Sequence, residues 1–215
     1  SDTRYFRWAP SGYQILAVGD LASNGEEELF LFDGGPSASG NQSRNALKNA
    51  TSSQESGFSF GDFGFSPDGT QAITIGDYDT NGADEIFLID LTGSSPSDVQ
   101  LNQNHTSSSN DVFDFQFTAD GSGVVFRADT VSSNNELWYA STTGTAPARA
   151  VRLHPTLASG QDVFEYAIPT GGNSVLFRGD VETSGDNGAY IVDLSDGEPG
   201  TLQALTGSAL SSGRD

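Results

Sequence analysis

Asp62-Phe-Gly-Phe-Ser-Pro-Asp-Gly-Thr-Gln-Ala-Ile-Thr-Ile-Gly-Asp-Tyr-Asp-Thr-Asn-Gly-Ala-Asp-Glu-Ile-Phe-Leu-Ile-Asp90 is the stretch from which the architecture is read. It holds three short runs suited to strands, 62–65, 71–75 and Glu85–Asp90, joined by two tight polar turns. Short apolar runs bounded by Gly, Asp, Asn and Pro are the pattern of strands buried on both faces.

The same arrangement occurs four times. Tyr5-Phe-Arg-Trp-Ala-Pro-Ser-Gly12, Asp62-Phe-Gly-Phe-Ser-Pro-Asp-Gly69, Asp114-Phe-Gln-Phe-Thr-Ala-Asp-Gly121 and, more loosely, Glu165-Tyr-Ala-Ile-Pro-Thr-Gly-Gly172 place a Gly-centred turn at intervals of 57, 52 and 51 residues. An apolar run follows each turn, at 14–18, 71–75, 123–126 and 174–177, and closes on Gly-Asp or Ala-Asp. A third run comes next, Glu28–Asp33, Glu85–Asp90, Glu136–Ser141 and Gly188–Asp193, with an aromatic residue always third of the six. Poorer fourth runs lie at 45–48, 99–102, 150–153 and 202–205. A unit of four antiparallel strands cannot bury its faces alone and must stack on its neighbours, which is the logic of a β-propeller blade. The expectation is therefore an all-β propeller with blades at about 3–50, 58–103, 112–155 and 163–206. A sandwich of hairpins would also give evenly spaced strands, but the fixed order of strand, Gly turn, strand, Asp turn, strand argues against it.

Composition narrows the function classes. The 29 acidic against 9 basic residues, a formal charge of −20, repel nucleic acid and anionic membrane and favour solubility and cation binding. Cysteine is absent, which removes disulfides and thiol chemistry. Methionine is absent as well, pointing to a processed product or a piece of a longer chain. Only one lysine, Lys48, is present. An acidic, lysine-poor chain fits an exported bacterial protein, periplasmic or extracellular.

Phe65-Ser-Pro-Asp-Gly-Thr, the apolar strand after it, the Gly/Asn/Asp turn and Glu85-Ile-Phe-Leu-Ile-Asp resemble the propeller repeat of the TolB type, also found in the propellers of prolyl-oligopeptidase-like enzymes. The resemblance covers nearly the whole chain and departs most in the fourth repeat, where Pro169-Thr-Gly-Gly replaces Ser-Pro-Asp-Gly. It implies stacked blades and says little about what they bind. Such propellers usually have six or more blades. A chain with four could close alone, pair with a second copy to complete a larger ring, or be a sector of a longer protein.

One turn carries chemistry of its own. Asp77-Tyr-Asp79-Thr-Asn81-Gly82-Ala-Asp-Glu85 resembles the calcium loops of integrin-type propellers, with oxygen ligands at positions 1, 3, 5 and 9 and Gly at 6. A hard cation takes six to eight oxygens, and Gly permits the reversal that makes alternate side chains converge. The resemblance implies Asp77, Asp79, Asn81 and Glu85 as metal ligands and calcium as the ion. The other reading is that Asp77 and Asn81 stabilise the turn by accepting backbone hydrogen bonds. The sister turns after Asp20, Asp129 and Asp180 lack one ligand or one residue of the pattern.

No catalytic set emerges. Gly57-Phe-Ser59-Phe-Gly61 spells a nucleophile elbow, but no helix follows it. His105 and His154 are the only histidines and are expected at the surface. Arg178-Gly179-Asp180 spells an integrin-recognition tripeptide where the second strand always ends, so a structural role is expected. Asn41, Asn49 and Asn104 begin glycosylation sequons. The first-strand aromatics Tyr5, Trp8, Phe63, Phe65, Phe115, Phe117 and Tyr166 are expected to pack between blades. The leading expectation is a non-enzymatic, exported propeller module that binds a protein, peptide or glycan. The alternatives are a propeller accompanying an enzyme whose catalytic part lies outside the chain, and a half-propeller completed by homodimerisation.

Overall fold

A computed structural model describes residues 2–20, 28–33, 44–49, 63–80, 82–92, 96–102, 110–129, 133–143, 150–195 and 197–206. These residues form strands and turns with no helix. Four four-stranded antiparallel sheets follow one another along the chain, each a propeller blade with its strands in chain order. The first holds β1 (Asp2–Trp8), β2 (Gln14–Asp20), β3 (Glu28–Asp33) and β4 (Arg44–Asn49). The second holds β5 (Phe63–Phe65), β6 (Gln71–Gly76), β7 (Glu85–Asp90) and β8 (Ser97–Gln100). The third holds β9 (Val112–Phe117), β10 (Gly123–Ala128), β11 (Glu136–Ser141) and β12 (Val151–Arg152). The fourth holds β13 (Val163–Ala167), β14 (Ser174–Gly179), β15 (Gly188–Asp193) and β16 (Gln203–Ala204). The chain divides into two compact units, the first carrying blades one and two and the second carrying blades three and four.

The Gly turn is held by side chains that the sequence places at fixed offsets. In the second blade Asp68 Oδ1 accepts from Ser66 Oγ at 2.7 Å and from the Thr70 N–H at 3.0 Å, while Ser66 Oγ accepts from the Gln71 N–H at 3.0 Å. Gly69 follows with φ 75°, a conformation that L side chains rarely adopt. The third blade repeats the device with Thr118, Asp120, Ser122 and Gly121. In the fourth, the left-handed glycine is Gly171 at φ 79°, one residue before the Gly172 that the repeat aligns with Gly69. The Gly172 N–H closes this turn on Pro169 O at 3.0 Å.

Residues directly opposed across an antiparallel ladder share a face, so each blade has two faces. Phe6–Ala17–Phe30 and Trp8–Ile15–Phe32 lie on one face of the first blade, here called leading; Arg7–Leu16–Leu31 lies on the other, the trailing face. Within the first unit, trailing Leu16, Val18, Leu29 and Leu31 pack with leading Phe63, Ala72 and Ile89 of the second blade. Within the second unit, trailing Val125, Leu137 and Tyr139 of the third blade pack with leading Val175, Phe177, Tyr190 and Val192 of the fourth. The middle strands β2, β6 and β10 are accordingly buried over most of their length. Strand β14 departs from the expectation of burial on both faces: its residues alternate between buried and exposed, because its trailing side is uncovered.

Candidate functional site

The turn between β6 and β7 is built around Glu85, which is fully buried. Its Oε2 accepts from the N–H groups of Tyr78 at 2.9 Å and Asp79 at 3.2 Å, and its Oε1 accepts from the Thr80 N–H at 2.7 Å. Both oxygens are thus committed to the backbone of the loop they close. Asp77 Oδ2 accepts from the Gly82 N–H at 2.8 Å, and Gly82 has φ 83°. Between them Tyr78 turns inward, its hydroxyl 2.6 Å from Thr74 Oγ1 and its ring edge-on to Phe87 at 5.6 Å. Burial raises the Tyr78 phenol far above its ordinary range.

Of the four residues implied as calcium ligands, the structure thus gives Glu85 a different occupation. Asp79 is exposed, and Asn81 lies outside the described residues. Asp77, 9% exposed, keeps Oδ1 buried and, among the described residues, without a hydrogen-bond partner. Among the described residues no three His, Asp or Glu side chains converge as a metal cluster.

The sister turns show what this aspartate does elsewhere. Asp180 Oδ2 accepts from the Gly185 N–H at 3.0 Å, and its Oδ1 accepts from the Asp162 N–H at 2.6 Å, fixing the chain as it enters β13. Burial alone raises the Asp180 carboxyl, but these N–H donors outweigh it and hold the group below the usual carboxylate range. Asp129 Oδ1 accepts likewise from the Asp111 N–H ahead of β9. For Asp77 the corresponding stretch before Phe63 lies outside the described residues.

Arg178-Gly179-Asp180 has the structural role expected. The Asp180 side chain is buried in the bonds just given, and a Cβ on Gly179 would lie 2.6 Å from Asp162 O. His154 corrects the sequence reading: it is buried, 7% exposed, rather than at the surface. Its Nε2 accepts from the Leu137 N–H at 3.0 Å, so the ring is neutral with its proton on Nδ1, which donates to Pro155 O at 2.7 Å. Desolvation lowers its pKa to about 4, the Pro155 carbonyl opposing and Arg152 assisting. His105, Ser59, Asn41 and Asn104 lie outside the described residues, and Asn49 falls in β4.

The first-strand aromatics divide. Phe63 is buried, Phe65 is half-buried, and the half-buried Tyr166 donates its hydroxyl to Val125 O at 3.3 Å, as blade packing requires. Phe115 and Phe117, also half-buried, meet edge to face at 6.0 Å. Tyr5 and Trp8 are exposed instead. Two further aromatics escaped the sequence reading. The register steps from Asp114↔Arg127 to Val112↔Ala128 and from Glu165↔Arg178 to Val163↔Gly179, leaving Phe113 and Phe164 unpaired at matching bulges. They are 42% and 38% exposed. Their spacing in the repeat was the available signal, hidden because the bulge breaks strand alternation.

No family model matches the chain, and no curated protein is similar to it in sequence. Solved structures similar to it include a prolyl endopeptidase from a study of two such enzymes and their inter-domain dynamics. It has a TM-score of 0.55 and 13% identity over 96% of this chain and 29% of that one. A putative TolB from Agrobacterium tumefaciens is similar at TM-score 0.34 and 16% identity, over 94% of this chain and 80% of that one. The likeness to the prolyl endopeptidase lies in its propeller domain and bears on the fold alone; the chain spans under a third of that protein's length.

Proposed function

We propose that the chain is a non-enzymatic β-propeller binding module for a protein, peptide or glycan ligand, working in an exported, periplasmic or extracellular setting. The observation that carries this reading is the repeated bulge that turns Phe113 and Phe164 outward at the same position of neighbouring first strands. A bulge re-aims a side chain at the cost of a broken ladder. Two aromatic rings so presented offer apolar area with little rotamer entropy to lose, suited to stacking on a sugar face or receiving an apolar peptide side chain. The formal charge of −20 selects against polyanionic ligands. Screening the wild-type protein on glycan and peptide arrays, then repeating the hits with Phe113→Ala/Phe164→Ala, tests the reading. Loss of binding at unchanged melting temperature supports it; hits that bind the double variant as well as wild type refute it.

Calcium at the Asp77 turn is the second reading, favoured by the buried Asp77 Oδ1, which has no hydrogen-bond partner among the described residues. With Glu85 committed to the backbone, the reading rests on this oxygen, with the exposed Asp79 two residues along the same turn. The ion would rigidify the hairpin and serve no reaction.

A further inference from the structure

Each unit contains one complete blade-to-blade interface, trailing face against leading face, and the chain also carries both halves of another. The first half is the trailing face of the fourth blade. Leu176 is 43% exposed, whereas Leu16 and Val125, at the same position in blades one and three, are 0% exposed. Ala167 and Ile191 flank Leu176 in one row, and Glu165, Arg178 and Ala189 form the next. A cavity of about 280 Å³ opens between these rows. The second half is the β1 side of the leading face of the first blade, where Phe6 and Trp8 are 59% and 58% exposed while Ala17 and Phe30 farther along the face are buried. Their counterparts in the second blade, Phe63 and Phe65, pack into the trailing face before them; in the fourth blade the counterparts are Tyr166 and Ile168, which pack in the same way.

We infer that these halves form a contact between copies of this chain, the trailing face of the fourth blade of one copy receiving the leading face of the first blade of a second copy. The interfaces inside the chain supply the template, including its polar clasp. Arg127, on the trailing face of the third blade, is ion-paired with Asp114 and donates from Nη1 to Phe164 O on the next first strand at 2.7 Å. Arg7, on the trailing face of the first blade, lies over the Phe63 ring at 5.4 Å. Arg178 occupies the position of Arg127 and is ion-paired with Glu165 at 2.7 Å, as Arg127 is with Asp114. Its guanidinium lies over the Phe164 ring of its own blade at 5.0 Å, and the inferred contact gives it the backbone of an incoming β1. A head-to-tail contact of this kind covers Phe6, Trp8 and Leu176, closing into a ring when the rotation allows. Arg178 borders both this surface and the Phe164 ring, but the contact is read by association and the Phe113 and Phe164 pair by ligand binding, so either reading can fail without the other.

Light scattering on the wild-type protein over a range of concentrations is the test, with expected masses above the 22.5 kDa of the chain and a dimer the smallest assembly. Leu176→Arg and Trp8→Asp alter exposed side chains, so each variant is expected to keep its circular dichroism and melting temperature. Each weakens association roughly tenfold to a hundredfold. Because the chain has no cysteine, Leu176→Cys and Trp8→Cys variants can be joined by a short bis-maleimide. The mixture is expected to give the cross-linked dimer, and neither variant alone. A monomer at every concentration overturns the inference, as does an assembly indifferent to both substitutions or one that cross-links residue 176 to residue 176.

Discussion

Lowering the pH from 7 to 4.5 is expected to weaken the second unit through one imidazole. His154 is neutral in the folded protein because both ring nitrogens are committed, Nε2 accepting from Leu137 N–H and Nδ1–H donating to Pro155 O, in a site 7% exposed. Its folded pKa is about 4 against an ordinary 6.5. Between those values the unfolded chain binds a proton that the folded chain refuses. The contribution is therefore fully present above pH 6.5 and is lost as the pH falls toward 4. The separation corresponds to roughly 3 kcal/mol when fully developed, of which roughly three quarters is lost by pH 4.5. Asp68, Asp90, Asp180 and Asp193 are held below the ordinary carboxylate value, and Asp120 at about 2, by turn hydrogen bonds that outweigh desolvation where it opposes them. Their contributions fade only below about pH 4, a separate window. Urea unfolding at pH 7, 6, 5 and 4.5, followed by the fluorescence of Trp138, buried in the third blade, measures the loss. His154→Gln keeps an acceptor for Leu137 but does not titrate, so its stability is expected to stay level over this range while the wild type declines. Parallel declines would refute the reasoning, as would an imidazole that titrates near 6.5 by NMR.

Three further outcomes follow from the turns. Glu85→Gln removes the charge from an acceptor of three buried N–H bonds and is expected to cost about 2–3 kcal/mol in urea unfolding at pH 7; an unchanged midpoint would contradict the anchoring role. If calcium binds the Asp77 turn, the melting temperature of the wild type rises with added calcium, and Asp79→Ala abolishes that rise while melting like the wild type in chelator. Equal wild-type melting temperatures in calcium and chelator would end that reading. Gly171→Ala places a Cβ at φ 79° with nothing within 4 Å to clash, so backbone strain alone is expected to cost about 1 kcal/mol, measured by thermal unfolding.

The parts of the fold legible in the sequence are those fixed by period and turn chemistry. The third strands run from Glu28, Glu85, Glu136 and Gly188 to the ends expected of them, because six apolar-rich residues between an Asp turn and an Asp or Ser leave little freedom of register. The fourth strands fit less closely: Arg44–Asn49 is longer than expected, Ser97–Gln100 is displaced, and Val151–Arg152 and Gln203–Ala204 have two residues each. An outer strand packs on one neighbour only, so its sequence carries less pattern. Burial of His154 was illegible because a histidine in a connection gives no sign of which backbone N–H it will meet. The bulges hid Phe113 and Phe164 for a similar reason, since a period-2 reading assigns them a face they do not take.

Glu85 shows how a repeat separates architecture from chemistry more finely than a motif does. As the ninth residue of a loop it matches a cation ligand, but the same position is Glu28 in the first blade and Glu136 in the third, and all three are buried. Each burial is tied to local partners where these are seen: three N–H donors for Glu85, and Arg152 at 3.0 Å for Glu136, whose carboxyl desolvation raises while Arg152 opposes it. The fourth blade dispenses with the glutamate because the Tyr190 hydroxyl fills its place: a Cβ on Gly188 would lie 2.5 Å from that oxygen. A residue that recurs, is buried and is satisfied by the backbone closes the hairpin. Subtracting it leaves Asp79, which the sister turns lack, and Asp77 Oδ1, which has no partner among the described residues, and the chelator experiment bears on those two alone.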